Sequence, residues 1–268
     1  MKRIFVQNRE LVVPGTLLAQ GPYKNGRGTF REGSRIYSTV IGLVDIKGNT
    51  IRVIPLEGPY IPEVGDNVIG KVVDVKFSSW VVDIGAPYPA NLKIQDFTDE
   101  KIDLLRTDLR KFFDIGDIIY AKVKAITEVN NIDLTTKGMP FNGGPLRGGQ
   151  IVKITPSRVP RVIGRGGSMI NMIKKLTMTR IIVGQNGWIW INGKNEYLEK
   201  LAIEAILKID RESHTKGLTD RIKNLLLSRL QELKEQGVIE EIPKLEEEPQ
   251  EESEVTENDG ETRGAETD

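Results

Sequence analysis

The segment 161–173, Arg-Val-Ile-Gly-Arg-Gly-Gly-Ser-Met-Ile-Asn-Met-Ile, constrains this chain more than any other stretch. Four residues, Gly164, Arg165, Gly166 and Gly167, separate two apolar-periodic runs, Val162 and Ile163 before them and Met169, Ile170 and Ile173 after. That spacing predicts two helices joined by a tight turn. Ser157 is placed to cap the first helix, and Pro160 is tolerated in a first turn whose N–H groups have no intrahelical partner. A glycine-rich turn feeding a helix N-terminus lets a phosphodiester approach without side-chain obstruction, and the helix end supplies free N–H groups and a partial positive charge. A tight helix–helix turn with no ligand gives the same string, so the glycines alone leave both readings open.

Charge favours the phosphate. The 62 residues from Leu134 to Asn195 contain no Asp or Glu, while Lys137, Arg147, Lys153, Arg158, Arg161, Arg165, Lys174, Lys175, Arg180 and Lys194 fall among them. A solvated basic face normally intersperses acids for solubility, so this span predicts a phosphate-binding surface. The formal net charge of zero hides it, because residues 245–268 carry 11 acids against one base. Residues 1–244 hold 37 bases and 27 acids.

At 268 residues the chain accommodates two or three small domains. Without cysteine it has neither disulfides nor thiolate metal sites, which fits a reducing cytoplasm. No apolar run approaches the roughly 20 residues of a membrane span, so a soluble, cytoplasmic protein is expected.

Residues 1–62 read as a small glycine-rich β domain. Strands 39–46 and 50–56 flank the hairpin signal Lys47-Gly48-Asn49, and a basic loop carries Lys24, Arg27, Arg31 and Arg35. This domain is either a docking platform or a β extension packed on its neighbour. Residues 63–137 predict five strands, at 68–75, 80–84, 91–94, 118–126 and 131–136, with a helical excursion at 99–113: an OB-type barrel. A glycine-rich linker, 138–149, leads into a third unit, 150–237. There Trp188 and Trp190 alternate with Ile189 and Ile191, so the indoles share a strand face, for RNA stacking or for packing on a neighbouring domain. A helix over 218–236 carries one broad leucine-rich stripe and stops at Gly237. The acidic segment 238–268 is too polar to bury a core and is expected to be disordered.

Catalytic signals are weak. His214 stands without a matching acid or nucleophile, and Asp99, Glu100 and Asp103 share their stretch with Lys101 and Arg106 as an ordinary charged helix face. No phosphate-binding P-loop, metal-ligand spacing or nucleophile elbow is present, and no cofactor or metal is expected.

The pattern VIGxxGxxIxxI, followed by strands 180–183 and 187–192 and a helix over 196–210, resembles a type I KH domain, an α+β RNA-binding module. In that family the GxxG loop clamps about four nucleotides. The resemblance implies RNA contacts from Gly164, Arg165, Gly166 and Gly167, with Arg158, Arg161 and Lys174 beside them. Ile163, Ile170, Ile181 and Val183 would line the adjoining apolar groove. The run 68–84, ending FSSWVVDI, resembles an S1 domain, in which two aromatics three residues apart on the exposed face of the second strand stack on bases. Phe77 and Trp80 stand at those places, with ordinary barrel packing as the alternative. Lys93 stands near the family's histidine and Asn131 at its arginine, so the polar half of that site is altered.

A glycine-rich β domain, an S1 barrel and one KH domain, in that order, resemble the S1-and-KH cap subunits of the archaeal exosome, as do the VVPG opening and the GRGTF segment at 26–30. The resemblance implies a non-catalytic RNA-binding subunit whose first domain seats on a ring of phosphorolytic 3′–5′ exoribonuclease subunits. Three copies would surround the ring entrance and deliver single-stranded RNA. Two alternatives stay open: a free-standing S1/KH regulator of transcription or translation, and a nuclease in its own right. The bacterial phosphorylase that carries both modules has KH before S1, after catalytic domains with no counterpart here.

Overall fold

The computed structural model describes residues 2–99, 103, 106–127, 129, 131–139, 144–213, 215, 217–239 and 243. Glu100, Lys101, His214 and the acidic segment 245–268 lie outside the described residues, as does part of the glycine-rich linker.

The first domain is a pair of small sheets. Its strands are β1 (Arg3–Ile4), β2 (Leu11–Val12), β3 (Leu17–Gln20), β4 (Lys24–Asn25), β5 (Thr29–Glu32), β6 (Arg35–Ser38), β7 (Gly42–Lys47) and β8 (Thr50–Pro55). They form one sheet in the order β1-β3-β6-β5 and another in the order β2-β7-β8-β4. Leu18, Ile36, Val44, Ile51 and Val53 fill the core of this domain. The β7–β8 hairpin closes where the sequence signals it, with Lys47 paired to Thr50 and Gly48 at φ 57°, a left-handed position that suits glycine.

The second domain is a closed barrel of β9 (Asn67–Val75), β10 (Ser79–Asp83), β11 (Ala90–Lys93), β12 (Ile118–Ile126) and β13 (Ile132–Thr135), in the order β10-β11-β13-β12-β9. Its interior holds Val68, Val72, Trp80, Val82, Leu92, Ile119, Val123 and Leu134. Over 99–113 the described residues contain only a 3-10 turn, Leu109–Lys111, while a short helix, α1 (Ile94–Phe97), forms directly after β11. Phe97, Phe112 and Phe113 plug this side of the barrel against Trp80 and one another.

The third domain runs β14 (Gln150–Lys153), α2 (Val159–Ile163), α3 (Ser168–Thr177), β15 (Arg180–Val183), β16 (Trp188–Asn192) and α4 (Glu196–Glu212). Its antiparallel sheet has the order β14-β16-β15. A last helix, α5 (Leu218–Glu235), buries Leu218, Ile222, Leu226 and Leu230 in the same core as α3 and α4. The expected cap at Ser157 does not form. A 3-10 turn, Pro156–Arg158, precedes α2, and the Ser157 hydroxyl donates instead to the Leu56 carbonyl at 2.9 Å, tying this domain to the first.

The two indoles resolve in favour of packing. Trp188 and Trp190 are 6% and 5% exposed and form one cluster with Ile69 of the barrel and Leu146 of the linker. The turn before them completes the junction. Gln185 donates its N–H to the Asn67 carbonyl at 2.8 Å and accepts the Asn67 N–H at 2.6 Å. The buried Asn186 amide donates to the carbonyls of Ile69 and Ile84 at 2.7 and 2.8 Å. An apolar seam sealed by the buried, fully bonded Asn186 amide and edged by the exposed Gln185 fixes one domain on the other.

Candidate nucleic-acid interface

The glycines of the α2–α3 turn do different work. Gly164 has φ 78° and ψ 177°, and a Cβ there would lie 2.7 Å from the Met169 backbone nitrogen, so this position shapes the turn itself. Gly166, at φ 55° and ψ 20°, has open space where a Cβ would be. Gly167, at φ 84°, caps α3 without any side-chain hydrogen bond to the first N–H groups of that helix. The loop thus exposes the positive end of a ten-residue helix behind a bare backbone.

Arg161 and Arg165 are exposed and Lys174 is half-buried. None of the three has an ion-pair partner among the described residues. Ile170 and Ile181 are core residues, while Ile163 and Val183 lie half-buried at the edge of that core beside the turn. The four residues expected to line a groove thus divide, two in the packed core and two at its edge. A bare-backbone turn, a helix N-terminus and unpaired cations beside an apolar edge suit phosphates on one side and base faces on the other.

Arg158 does not belong to this cluster. Its guanidinium donates to the Asp210 carbonyl at 2.7 Å and reaches Asp210 Oδ1 at 3.5 Å and Glu57 Oε1 at 3.4 Å. The acid-free span is acid-free in sequence only, because α4 and the end of the first domain bring carboxylates to it. Arg158 is an anchor between domains.

The barrel departs further from expectation. Trp80 is fully buried, because β10 points Trp80 and Val82 inward. Its indole N–H donates to the Phe113 carbonyl at 3.0 Å, and Phe97 and Phe113 meet its ring edge-on at 5.6 and 5.1 Å. A ring enclosed this way cannot stack on a base. Phe77 is 67% exposed, but it sits in the turn before β10 rather than on the strand. Lys93 projects from β11 and its ammonium bonds the Asp133 carboxylate at 2.8 Å, a contact that raises the Lys93 pKa. Lys124 pairs with Asp96 at 2.6 Å, and Lys137 pairs with Asp99.

The described residues contain no group of three or more His, Asp or Glu side chains able to hold a metal ion. No helix among them is long and apolar enough to cross a membrane.

Two features escaped the sequence reading. The Gln185 and Asn186 clamp has only an Asn-Gly turn as its signal, which says nothing of a partner domain. The outward face of β2, β7 and β8 is aliphatic, and non-alternating runs such as Leu11-Val12-Val13 were its available sign, since an apolar run points side chains to both faces of a strand.

Comparison with known proteins agrees along the chain. Residues 9–57 match the family described as exosome RNA binding protein RRP4 N-terminal domain, 59–125 match the RRP4 S1 domain, and 149–197 match a KH domain. The exosome complex component Rrp4 of Pyrococcus horikoshii is 95% identical over 263 residues, covering 98% of this chain and 99% of that protein. Its counterpart in Methanothermus fervidus is 50% identical over 230 residues, 85% of this chain and all of that one. A crystal structure of a protein described as a proposed exosome complex RNA-binding protein superposes with a TM-score of 0.60 at 38% identity, covering 65% of this chain and 98% of the other.

Proposed function

This chain belongs to the Rrp4 family of exosome components, and on that premise we propose that it is a non-catalytic cap subunit that captures single-stranded RNA. It delivers the RNA to a phosphorolytic 3′–5′ exoribonuclease ring, on which its first domain seats, with three copies around the entrance in the cytoplasm. The observation that carries the RNA role is the α2–α3 turn: open glycine backbone, an uncapped helix N-terminus, and Arg161, Arg165 and Lys174 without carboxylate partners among the described residues. Phosphates seated there displace only solvent ions, whose release drives binding. Phe77 adds one exposed ring for stacking. The chain supplies affinity and direction, and a neighbouring subunit supplies the chemistry.

The test separates the cradle from the fold. Aspartate adopts the left-handed backbone of Gly166 more readily than most residues, and a Cβ there meets no neighbour. Gly166→Asp is therefore expected to keep the fold, at a cost of no more than about 1 kcal/mol for the left-handed backbone, while lowering affinity for single-stranded RNA about 10- to 30-fold, on the order of 2 kcal/mol. Affinity of the parent protein should fall with added salt and depend weakly on sequence. Equal binding of duplex and single strand, or unchanged affinity in the folded variant, would overturn the reading.

A further inference from the structure

The Gly-Arg-Gly-Thr run at 26–29 is built to hold one side chain in place. The Gly26 N–H donates to the Ile51 carbonyl and the Val53 N–H to the Arg27 carbonyl, both at 2.8 Å, and Thr29 Oγ1 donates to the Gly26 carbonyl at 2.7 Å. A Cβ on Gly26 would lie 2.9 Å from Arg52 Cβ, and one on Gly28, at φ 70°, would lie 2.5 Å from the Val53 carbonyl oxygen. Only glycine lets the loop press this closely on β8. Arg27, held between the two glycines, stands at the wall of a cavity of about 310 Å³ where all three domains meet.

Pro55, Pro59, Pro156 and Pro160 give this cavity rigid, apolar walls. Most of its charged groups are already engaged. Arg52 pairs with Asp45 at 2.6 Å, Asp66 accepts from the Tyr60 hydroxyl at 2.6 Å and the Glu63 N–H at 3.0 Å, and Glu57 meets Arg158 at 3.4 Å. Arg27 and Glu63 differ. The Arg27 guanidinium makes no side-chain hydrogen bond among the described residues, and its Nε is buried without a partner. Its one ion-pair contact among them, to Glu63 Oε1, is 3.7 Å long, beyond hydrogen-bond reach, and the Glu63 carboxylate accepts no hydrogen bond either. Buried donors are normally bonded, so a bare guanidinium beside a bare carboxylate on a cavity wall calls for a ligand that satisfies both.

We infer that this cavity takes up one guanine base of the captured single strand. The inference rests on the RNA-capture reading above and adds a base-reading site to it. Two arginines against three carboxylates, Glu57, Glu63 and Asp66, give a phosphate no net attraction here. A flat, neutral ring edged by donors and acceptors suits proline walls with an arginine and a glutamate side by side. Guanine carries two adjacent N–H donors, N1–H and the N2 amino group, which match the two oxygens of the Glu63 carboxylate. Beside them lie the O6 and N7 acceptors that a guanidinium reads. Adenine, cytosine and uracil lack that pair of donors. The volume agrees, since ligand sites run from about 300 to 1,000 Å³ and this one, at the small end, admits a base with its ribose. So does the position. Val159 and Pro160 of α2 line the cavity, and Gly164 follows ~6 Å further along that helix, so a strand seated on the glycine turn has the cavity within reach. One base among several is read, and capture as a whole stays tolerant of sequence.

The test is titration of the full chain with three RNA decamers, all-adenine, all-uridine and alternating adenine–guanine, with hydrogen exchange of segments 56–66 and 154–161 followed in parallel. The alternating decamer is expected to bind about fivefold tighter than the other two. It should also slow exchange in both segments, where the all-adenine decamer does not. Arg27→Met keeps the stem, removes the guanidinium, and should erase the guanine preference while affinity for the adenine decamer stays within about twofold. Glu63→Gln replaces one acceptor oxygen at a half-exposed position and should cut the preference by about half. Gly166→Asp should lower all three affinities together and keep their ratio, which separates this site from the phosphate cradle. The exchange measurement needs no variant and decides even if Arg27→Met fails to fold. A parent without guanine preference, a preference that survives in folded Arg27→Met, or unchanged exchange in the two segments overturns the inference and leaves the cradle standing. Absence of salt-dependent RNA binding by the parent overturns both. Guanosine monophosphate that protects the segments when guanine-containing RNA does not makes a free nucleotide the occupant, and overturns the assignment to RNA.

Discussion

The barrel and the KH domain both resemble RNA-binding modules and both project lysines or arginines, yet Lys93 and two neighbouring lysines of the one stand in the opposite situation to the cations around the glycine turn of the other. On the barrel, Lys93, Lys124 and Lys137 each meet an aspartate, Asp133, Asp96 and Asp99 respectively. On the KH domain, Arg161, Arg165 and Lys174 have no carboxylate partner among the described residues. A phosphate approaching Lys93 must compete with an aspartate already bonded to it. At Arg165 it replaces mobile salt ions and gains their entropy. A count of basic residues therefore says little about a surface until the acids facing them are located.

The largest effect that separates the two regions is on stability. Trp80→Ala removes a fully enclosed ring and leaves the Phe113 carbonyl without its donor, so unfolding free energy should fall by about 3–5 kcal/mol. Phe77→Ala, three residues away and 67% exposed, should leave stability unchanged and reduce RNA affinity about fivefold. Chemical denaturation with parallel RNA titrations reads both. A stable Trp80→Ala protein with weakened RNA binding would place the indole outside and restore the two-ring stacking site. The next effect is on affinity. Arg161→Gln/Arg165→Gln should weaken single-stranded RNA binding about 10-fold and reduce the slope of log affinity against log salt by roughly 1.4, about 0.7 for each phosphate no longer neutralised. Titrations at several salt concentrations measure that slope, and an unchanged slope would remove these arginines from the phosphate path.

Much of this was legible in the chain, for identifiable reasons. Strands and helices follow local periodicity and turn chemistry, so the glycine turn, the β7–β8 hairpin and α3 to α5 are readable from neighbours in sequence. Trp80 illustrates where that stops. Alternation says that residues 80 and 82 share a face but not which face, and the choice is made by Phe97 at the end of α1 and Phe113 after the 3-10 turn, neither of which belongs to a regular pattern in the sequence. Arg158 and Lys93 fail for a second reason, since their partners Asp210 and Asp133 lie 52 and 40 residues away. Local spacing recovers contacts within an element, while pairing across elements needs the fold. The aliphatic face of the first domain left a trace in its unalternating strands, but its exposure depends on which side the second sheet covers.

The smallest effect tests the comparison from the barrel side. Asp133→Asn keeps the shape of the side chain and removes the charge that holds Lys93. The pair is half open to solvent, with Lys93 46% and Asp133 22% exposed, so the loss of stability at neutral pH should stay under about 1 kcal/mol. Its pH dependence has a definite sign. The hydrogen bond to Asp133 raises the Lys93 pKa above its unfolded value, so the contribution is fully present below that unfolded value, near 10.4. It is lost as pH climbs through the raised folded pKa, and the melting temperatures of parent and variant should converge in that alkaline range. At neutral pH the freed ammonium gains a phosphate's worth of attraction. Affinity for single-stranded RNA should rise about two- to threefold and the salt slope steepen by about 0.7. If neither changes, Lys93 lies off the RNA path altogether, and the barrel contributes to capture through Phe77 and through the fixed seat it gives the KH domain.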